Sequence, residues 1–207
     1  MVAPPEGQGM ANVKLFVDFW NFQLAWNAHI RPDDGSDDSH VRIGWRNLPQ
    51  TLIGELPSVL GPTTEMAYKG TQVYASVNPI PGSPDARLKG FLHGVLGQMT
   101  GYRVHVRDRR FKRDSCPHCR AAIDRMVEKG VDSSIVTDLF DGAINNAYDI
   151  AVLISNDSDF VPAIQTIQER LNKQIIHVGF RRGGDHVRTA AWSHIILDGD
   201  VAEKIRE

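Results

Sequence analysis

Two aspartates stand one residue apart in 151-AVLISNDSDFVPAIQTIQER-170, where a mostly apolar run breaks into Ser155-Asn156-Asp157-Ser158-Asp159. An amphipathic pattern follows. Carboxylates at the end of a buried strand suit two jobs: capping the next helix, or holding a positive charge. Asp159 fits the first as N-cap of a helix beginning at Phe160, with Pro162 tolerated in its first turn, and capping does not exclude metal contact. Asp157 is harder to explain that way, because a cap is needed only once. Asp18 closes an earlier apolar run, 12-NVKLFVDF-19, and has an ordinary strand-end aspartate as its bland alternative. A third acidic region is 128-EKGVDSSIVTDLFDGAINNAYD-149. There Ile135, Val136, Leu139, Phe140, Ala143 and Ala147 form a buried helix face. Asp132 lies at the helix N-terminus, where a cap is again natural. Asp138 falls on the opposite face with Ser134, Asp141 and Asn145, and a helical wheel alone makes it solvated.

Carboxylates gathered within a few ångströms repel one another, so at least one pKa rises unless a cation shares the site. Mg²⁺ or Mn²⁺ relieves that repulsion and prefers oxygen ligands. Two such ions about 4 Å apart can activate a water and stabilise the leaving oxygen of a phosphodiester. The set therefore argues for phosphoryl chemistry more than for acid/base work on a carbon skeleton.

Convergence of these residues depends on the elements that carry them. Short apolar runs alternate with helical patterns, the signature of βαβ units and a mostly parallel sheet. Strands are expected at 12–19, 71–77, 102–111, 150–155 and 174–179, with a short sixth at 194–198. Helices are expected from Trp20 to His29, over 45–56 with Pro57 closing it, and over 86–99, 133–146 and 160–171. The acidic stretch 31–40 reads as loop. In open α/β sheets ligands bind beyond the carboxyl ends of the strands. Asp18 and the Asp157/Asp159 pair meet there if the first and fourth strands are neighbours.

A chain of 207 residues can bury one sizeable core, and 42% apolar with 23% charged residues is ordinary for a globular protein. One domain is expected over 12–207, after a disordered lead-in at 1–11. A net charge of −2 gives no case for a protein that coats nucleic acid, but leaves room for a local basic patch. No run nears the roughly 18 apolar residues of a membrane span, and the N-terminus lacks the pattern of a secretory signal. A cytoplasmic location follows as the expectation, and two cysteines make no disulfide framework.

FVDFWNF, EKGVDSSIVTDLF and LISNDSDFVPAIQTIQERLNKQIIHVGF, in this order, resemble the NYN family of PIN-like nuclease domains, over roughly residues 12–198. The resemblance implies a three-layer α/β/α sandwich with a mostly parallel sheet of five to six strands, and a metal-dependent ribonuclease cleft at the strand ends. It assigns Asp18 and Asn21 to the family's Asp-x-x-Asn, and Lys129, Gly130, Val131 and Asp132 to its Lys-Gly-Val-Asp. Ser155, Asp157, Asp159 and Phe160 match its Ser-x-Asp-x-Asp-Phe. The wider PIN group sets its helix acid at an interval before the strand-four aspartate that Asp138 fits and Asp132 does not. Asp138 therefore ranks slightly ahead as a metal ligand, with Asp132 a ligand or second acid. Phe19-Trp20 departs from the smaller residue of many relatives; Trp20 either packs at the helix start or stacks a base.

The expected substrate is RNA, single-stranded or structured. Unstacked bases could meet aromatics near Asp18. Arg103, His105, Arg107 and Arg109 alternate onto one side of the third strand, a stripe suited to phosphates, with a solvated face as its alternative. Arg181, Arg182 and Arg188 lie in 181-RRGGDHVR-188, whose glycines would admit a phosphate or simply make a polar loop. An insertion at 112–123 carries Cys116-Pro-His-Cys119, half of a structural Zn²⁺ site by spacing. His118, His105, His93 or a partner chain could complete it; free thiols or a disulfide are the alternatives. A non-catalytic RNA-binding module on the same fold competes with the nuclease. So does a Toprim-like enzyme using Asp157-x-Asp159, though that wants a glutamate where strand one offers Asp18.

Overall fold

The computed structural model of the chain describes residues 10–30 and 42–206. The expected lead-in, apart from Met10 and Ala11, and the expected loop at 31–40 lie outside these residues. Elements run in the order β1 (Ala11–Asp18), α1 (Phe19–Ile30), α2 (Leu48–Glu55), α3 (Pro57–Leu60), β2 (Met66–Val77), α4 (Asp85–Gly94) and β3 (Tyr102–Asp108). They continue with β4 (Arg110–Ser115), β5 (Ala122–Val127), α5 (Val131–Ile144), β6 (Ile150–Ile154), α6 (Val161–Leu171), β7 (Gln174–Gly179), α7 (Asp185–Ala190), β8 (Ser193–Ile196) and α8 (Gly199–Ile205).

The central sheet has the order β3-β2-β1-β6-β7-β8, and all of its pairings are parallel. Chain direction across the sheet reverses between β1 and β6, the switch point at which open α/β sheets bind ligands. A strand buried on both faces reads as continuous apolar sequence, and Ile150–Ile154 is buried throughout. Its alternation divides two cores. Ile150, Val152 and Ile154 join α1, α2, α4 and α8 on one face, while Ala151 and Leu153 join α5, α6 and α7 on the other. These are the three layers that the sequence implies.

The same period of two sets the chemistry. Phe16 and Tyr74 face the α5 layer, so Asp18 and Ser76, two residues further along their strands, face it too. Ser155 follows Leu153 by the same step. The register pairs Val17 with Ile154, which brings the ends of β1 and β6 level. Alternation and register together thus put Asp18 beside Ser155.

Several boundaries differ from the sequence expectation. The third strand stops at Asp108, and the chain turns into an antiparallel hairpin, β4–β5, wider than the expected insertion at 112–123. α2 ends at Glu55, just ahead of Pro57, which also opens the short helix α3 because proline is favoured in a first turn. The helices α7 and α8 were not expected at all.

Candidate active site

Asp18 is 5% exposed and ends the central strand β1. Its Oδ1 accepts from the Asn21 amide at 3.3 Å and its Oδ2 from Ser155 Oγ at 3.1 Å. Burial raises its pKa to about 7; those two hydrogen bonds oppose the rise, and the charges of Asp132 and Glu128 add to it. The carboxylate is thus fixed in position but costly to ionise.

The β6–α6 loop is held from both sides. Asn21 Oδ1 accepts from the Asn156 amide at 2.8 Å, and Asn156 Oδ1 lies 3.3 Å from Nε2 of the fully buried His177. Burial lowers the His177 pKa to about 4, with the Arg188 charge helping, so the ring is neutral. A Cβ on Gly179 would lie 2.6 Å from Asn156 Oδ1 and 2.7 Å from His177 Cε1. Gly184, at φ +71°, packs on the same amide and caps α7. Gly179 at the end of β7 and Gly184 beyond it therefore admit Asn156, a use that the sequence did not reveal.

The cap expected at Asp159 falls to Asp157. The helical turn begins at Ser158, two residues earlier than expected, so Asp157 is its N-cap. Asp157 Oδ1 accepts from the Asp159 amide at 2.9 Å, and the Asp157 amide donates to Ser155 Oγ at 3.2 Å. Ser155 thereby ties Asp18 to Asp157.

On α5 the two candidate acids part. Asp132 sits in the first turn, behind a left-handed Gly130 N-cap. Burial raises its pKa, the charges of Asp157, Glu128 and Asp159 raise it further, and its own charge acts on Asp18. Asp138 lies about 9 Å further along the helix axis at 1.5 Å per residue. Its Oδ2 accepts from Tyr74 Oη at 2.7 Å and sits 3.8 Å from His105 Nε2. Charge repulsion thus links Asp132 to Asp18, Asp157 and Asp159, while hydrogen bonding sets Asp138 beside β2 and β3. Glu128, not picked out from the sequence, belongs with the cluster and hydrogen-bonds to Ser76 Oγ. Its signal was its place just before Lys-Gly-Val-Asp. Among the described residues no three His, Cys, Asp or Glu side chains are drawn into a ready-made metal cage.

Comparison with known proteins adds to this geometry. The NYN domain family matches over residues 61–198. The chain belongs to that family. NYN domains are nuclease-like, and the family suggests a nucleic-acid substrate. The match begins at Gly61, so Asp18 and Asn21 lie outside it and reach the matched region through β1, paired between β2 and β6. A crystal structure of a protein of unknown function from Vibrio parahaemolyticus is similar in fold, with a TM-score of 0.62 at 17% identity. The similarity covers 98% of this chain and 100% of that one. No curated protein matches the sequence.

The basic stripe of this NYN domain runs along the edge of the cleft. Gln72, Tyr74 and Ser76 pair with Arg103, His105 and Arg107, and His105 stacks on Tyr74 with centroids 4.6 Å apart. Arg107 reaches Ser134 Oγ at 2.8 Å and helps line a surface cavity of about 200 Å³ with His105, Thr137 and Asp138. Arg109 bonds Ser76 Oγ at 3.1 Å, pairs with Asp85 at 3.3 Å and lies over Trp20, 5.0 Å from its ring. Trp20 Nε1 donates to the Ser76 carbonyl at 2.7 Å, so the indole packs into the cleft wall. Beyond β7, Arg181 pairs with Asp198 and Arg188 with Asp185, while Arg182 is exposed. Cys116 and Cys119 are free thiols in the turn of the β4–β5 hairpin. Neither His105 nor His93 joins them in a set of three among the described residues. No helix among those residues is long and apolar enough to cross a membrane.

Proposed function

We propose that the chain is a divalent-metal-dependent endoribonuclease that hydrolyses RNA in the cleft between β1, β6 and the N-terminus of α5. The observation that carries this is Asp18, a carboxylate 5% exposed with its pKa raised to about 7, repelled by Asp132 and Glu128. Burying such a group is expensive unless a cation offsets it.

The donors fit Mg²⁺ or Mn²⁺, since Asp18, Asp132, Asp157 and Asp159 offer only oxygen. Mg²⁺ keeps several waters and uses one or two carboxylates with substrate phosphates, so it needs no closed cage of protein ligands. When bound, the metal would supply an activated water and charge stabilisation for the leaving oxygen. The protein does the positioning. Ser155 and the Asn21 amide fix Asp18, the Asn21 side chain sets the loop carrying Asp157 and Asp159, and Glu128 supports the wall through Ser76. Arg107 lines the cavity and Arg103 lies two pairs back along β3 as phosphate contacts, Arg109 is braced on Trp20, and Arg181, Arg182 and Arg188 follow β7 as further phosphate contacts. Asp138 is assigned to the substrate side rather than to the metal, because Tyr74 and His105 hold it.

Labelled single-stranded RNA incubated with Mn²⁺ or Mg²⁺ tests the proposal. Cleavage is expected, is lost with a chelator, and falls at least about 100-fold in Asp18→Asn and Asp157→Asn, the scale of losing a transition-state contact. Cleavage that survives both substitutions overturns the site. Binding without metal-dependent cleavage, across several RNAs, identifies a non-catalytic RNA-binding module instead.

A further inference from the structure

The β4–β5 hairpin is not used by the cleft chemistry, and its tip has a chemistry of its own. Cys116-Pro117-His118-Cys119 lies in the turn between Ser115 and Ala122, the last paired residues of the two strands. The turn is closed by Cys116 N–H to the Ala121 carbonyl at 2.8 Å and Arg120 N–H to the Cys116 carbonyl at 2.9 Å. Arg120, a non-glycine residue, adopts φ +59° to make that closure.

Cys119 is exposed and Cys116 half-buried. The amide N–H groups of Cys119 and His118 turn towards the Cys116 sulfur, so the turn folds around it. The arms are stiff below the tip. Arg113 makes a bidentate pair with Asp124 at 2.7 and 2.9 Å, and Arg125 and Lys112 share Asp114 at 2.7 and 3.0 Å.

Structural zinc takes four ligands in a tetrahedron. The tip supplies two, and no set of three or more His, Cys, Asp or Glu is gathered among the described residues. We infer that the hairpin tip is half of a zinc site completed by a second copy of this chain, with Cys116 and Cys119 of each copy forming a four-thiolate centre on a two-fold axis. Such an axis needs the same surface on both copies, and identical tips provide it. The hairpin is rooted at the cleft, where Arg109 before β4 and Glu128 after β5 both bond Ser76. A zinc-joined pair would therefore hold two NYN clefts at a fixed spacing. This inference stands apart from the nuclease proposal, and either can fail alone.

The test uses the full chain under reductant, titrated with Zn²⁺, with Co²⁺ as a spectroscopic probe. Metal content, molar mass by light scattering and the cobalt–thiolate spectrum are read for wild type, Cys116→Ser and Cys119→Ser. The expected result is one zinc per two chains, a doubling of mass that a chelator reverses, and a tetrahedral cobalt–thiolate spectrum. All three are expected to be lost in either variant. Both substitutions lie at an exposed turn, and an unchanged thermal melt of each variant checks the fold. Zinc bound at one per chain without a change in mass overturns the shared site. Zinc uptake equal in wild type and variants overturns the site altogether.

Discussion

The choice between Asp132 and Asp138 turns on where each carboxylate points. Both lie on α5, but Asp132 is repelled by Asp157, Glu128 and Asp159, whereas Asp138 accepts from Tyr74 Oη at 2.7 Å. Sequence interval favoured Asp138, because an interval counts residues and ignores the direction of side chains. The helical wheel had put Asp138 on an open face, and the structure fills part of that face with Tyr74 and His105. Asp132→Asn is expected to lower metal-dependent RNA cleavage at least about 100-fold, as for any lost transition-state contact. Asp138→Asn is expected to keep metal-dependent turnover and to weaken RNA binding, read as a raised KM at unchanged kcat. The reverse pattern would return the metal to Asp138. The acids at Asp18, Asp157 and Asp159 were legible because each ends an apolar run. Glu128 was not, because only the β4–β5 hairpin brings it back to Ser76.

Among the elements, the long apolar runs were legible and the charged ones were not. β1, β6 and β7 announce themselves by burial on both faces. β4 is exposed and mostly polar, and β5 sets its apolar residues in adjacent pairs around Asp124-Arg125, so no apolar alternation marks the two strands joined through Arg113–Asp124 and Arg125–Asp114. The helix α7 spans Asp185–Ala190 and buries only Val187, too little for a period to show. The β6–α6 loop depends on such unannounced parts. Asn21→Ala removes the acceptor for the Asn156 amide at 2.8 Å. An indirect contact of this kind typically costs about 10- to 100-fold in metal affinity or activity. The loss is expected in kcat with a higher metal requirement, recovered in part by excess Mn²⁺. Gly179→Ala forces a Cβ to within 2.7 Å of His177. Overpacking of this sort costs about 1–3 kcal/mol, and urea unfolding is expected to show it. Equal stability of Gly179→Ala and wild type would mean that Asn156 is not confined as described.

At the scale of the whole molecule, two buried groups pull stability in opposite directions with pH. Asp18 has its pKa raised from 3.8 to about 7, so the folded chain holds a proton that the unfolded chain releases across that window. Its contribution is full below 3.8 and is lost as pH rises towards 7. His177 has its pKa lowered from 6.5 to about 4, so there the unfolded chain binds the extra proton. Its contribution is present above 6.5 and is lost as pH falls towards 4. Each acts at about 1.4 kcal/mol per pH unit while its window lasts, so the two slopes largely cancel in the metal-free wild type. Asp18→Asn removes one limb, and its stability to urea is expected to rise with pH from about 4 to 6.5. His177→Gln removes the other; whatever it costs in packing, its stability is expected to fall over the same range. At pH 8 the metal-free wild type carries a buried carboxylate that Asp18→Asn lacks, so the variant is expected to be the more stable of the two. Saturating Mg²⁺ or Mn²⁺ then stabilises the wild type alone, by about 2.7 kcal/mol at one hundred times its dissociation constant. Parallel pH slopes in wild type and Asp18→Asn, or equal stabilisation of both by metal, would show that Asp18 is neither the strained group nor the metal's anchor.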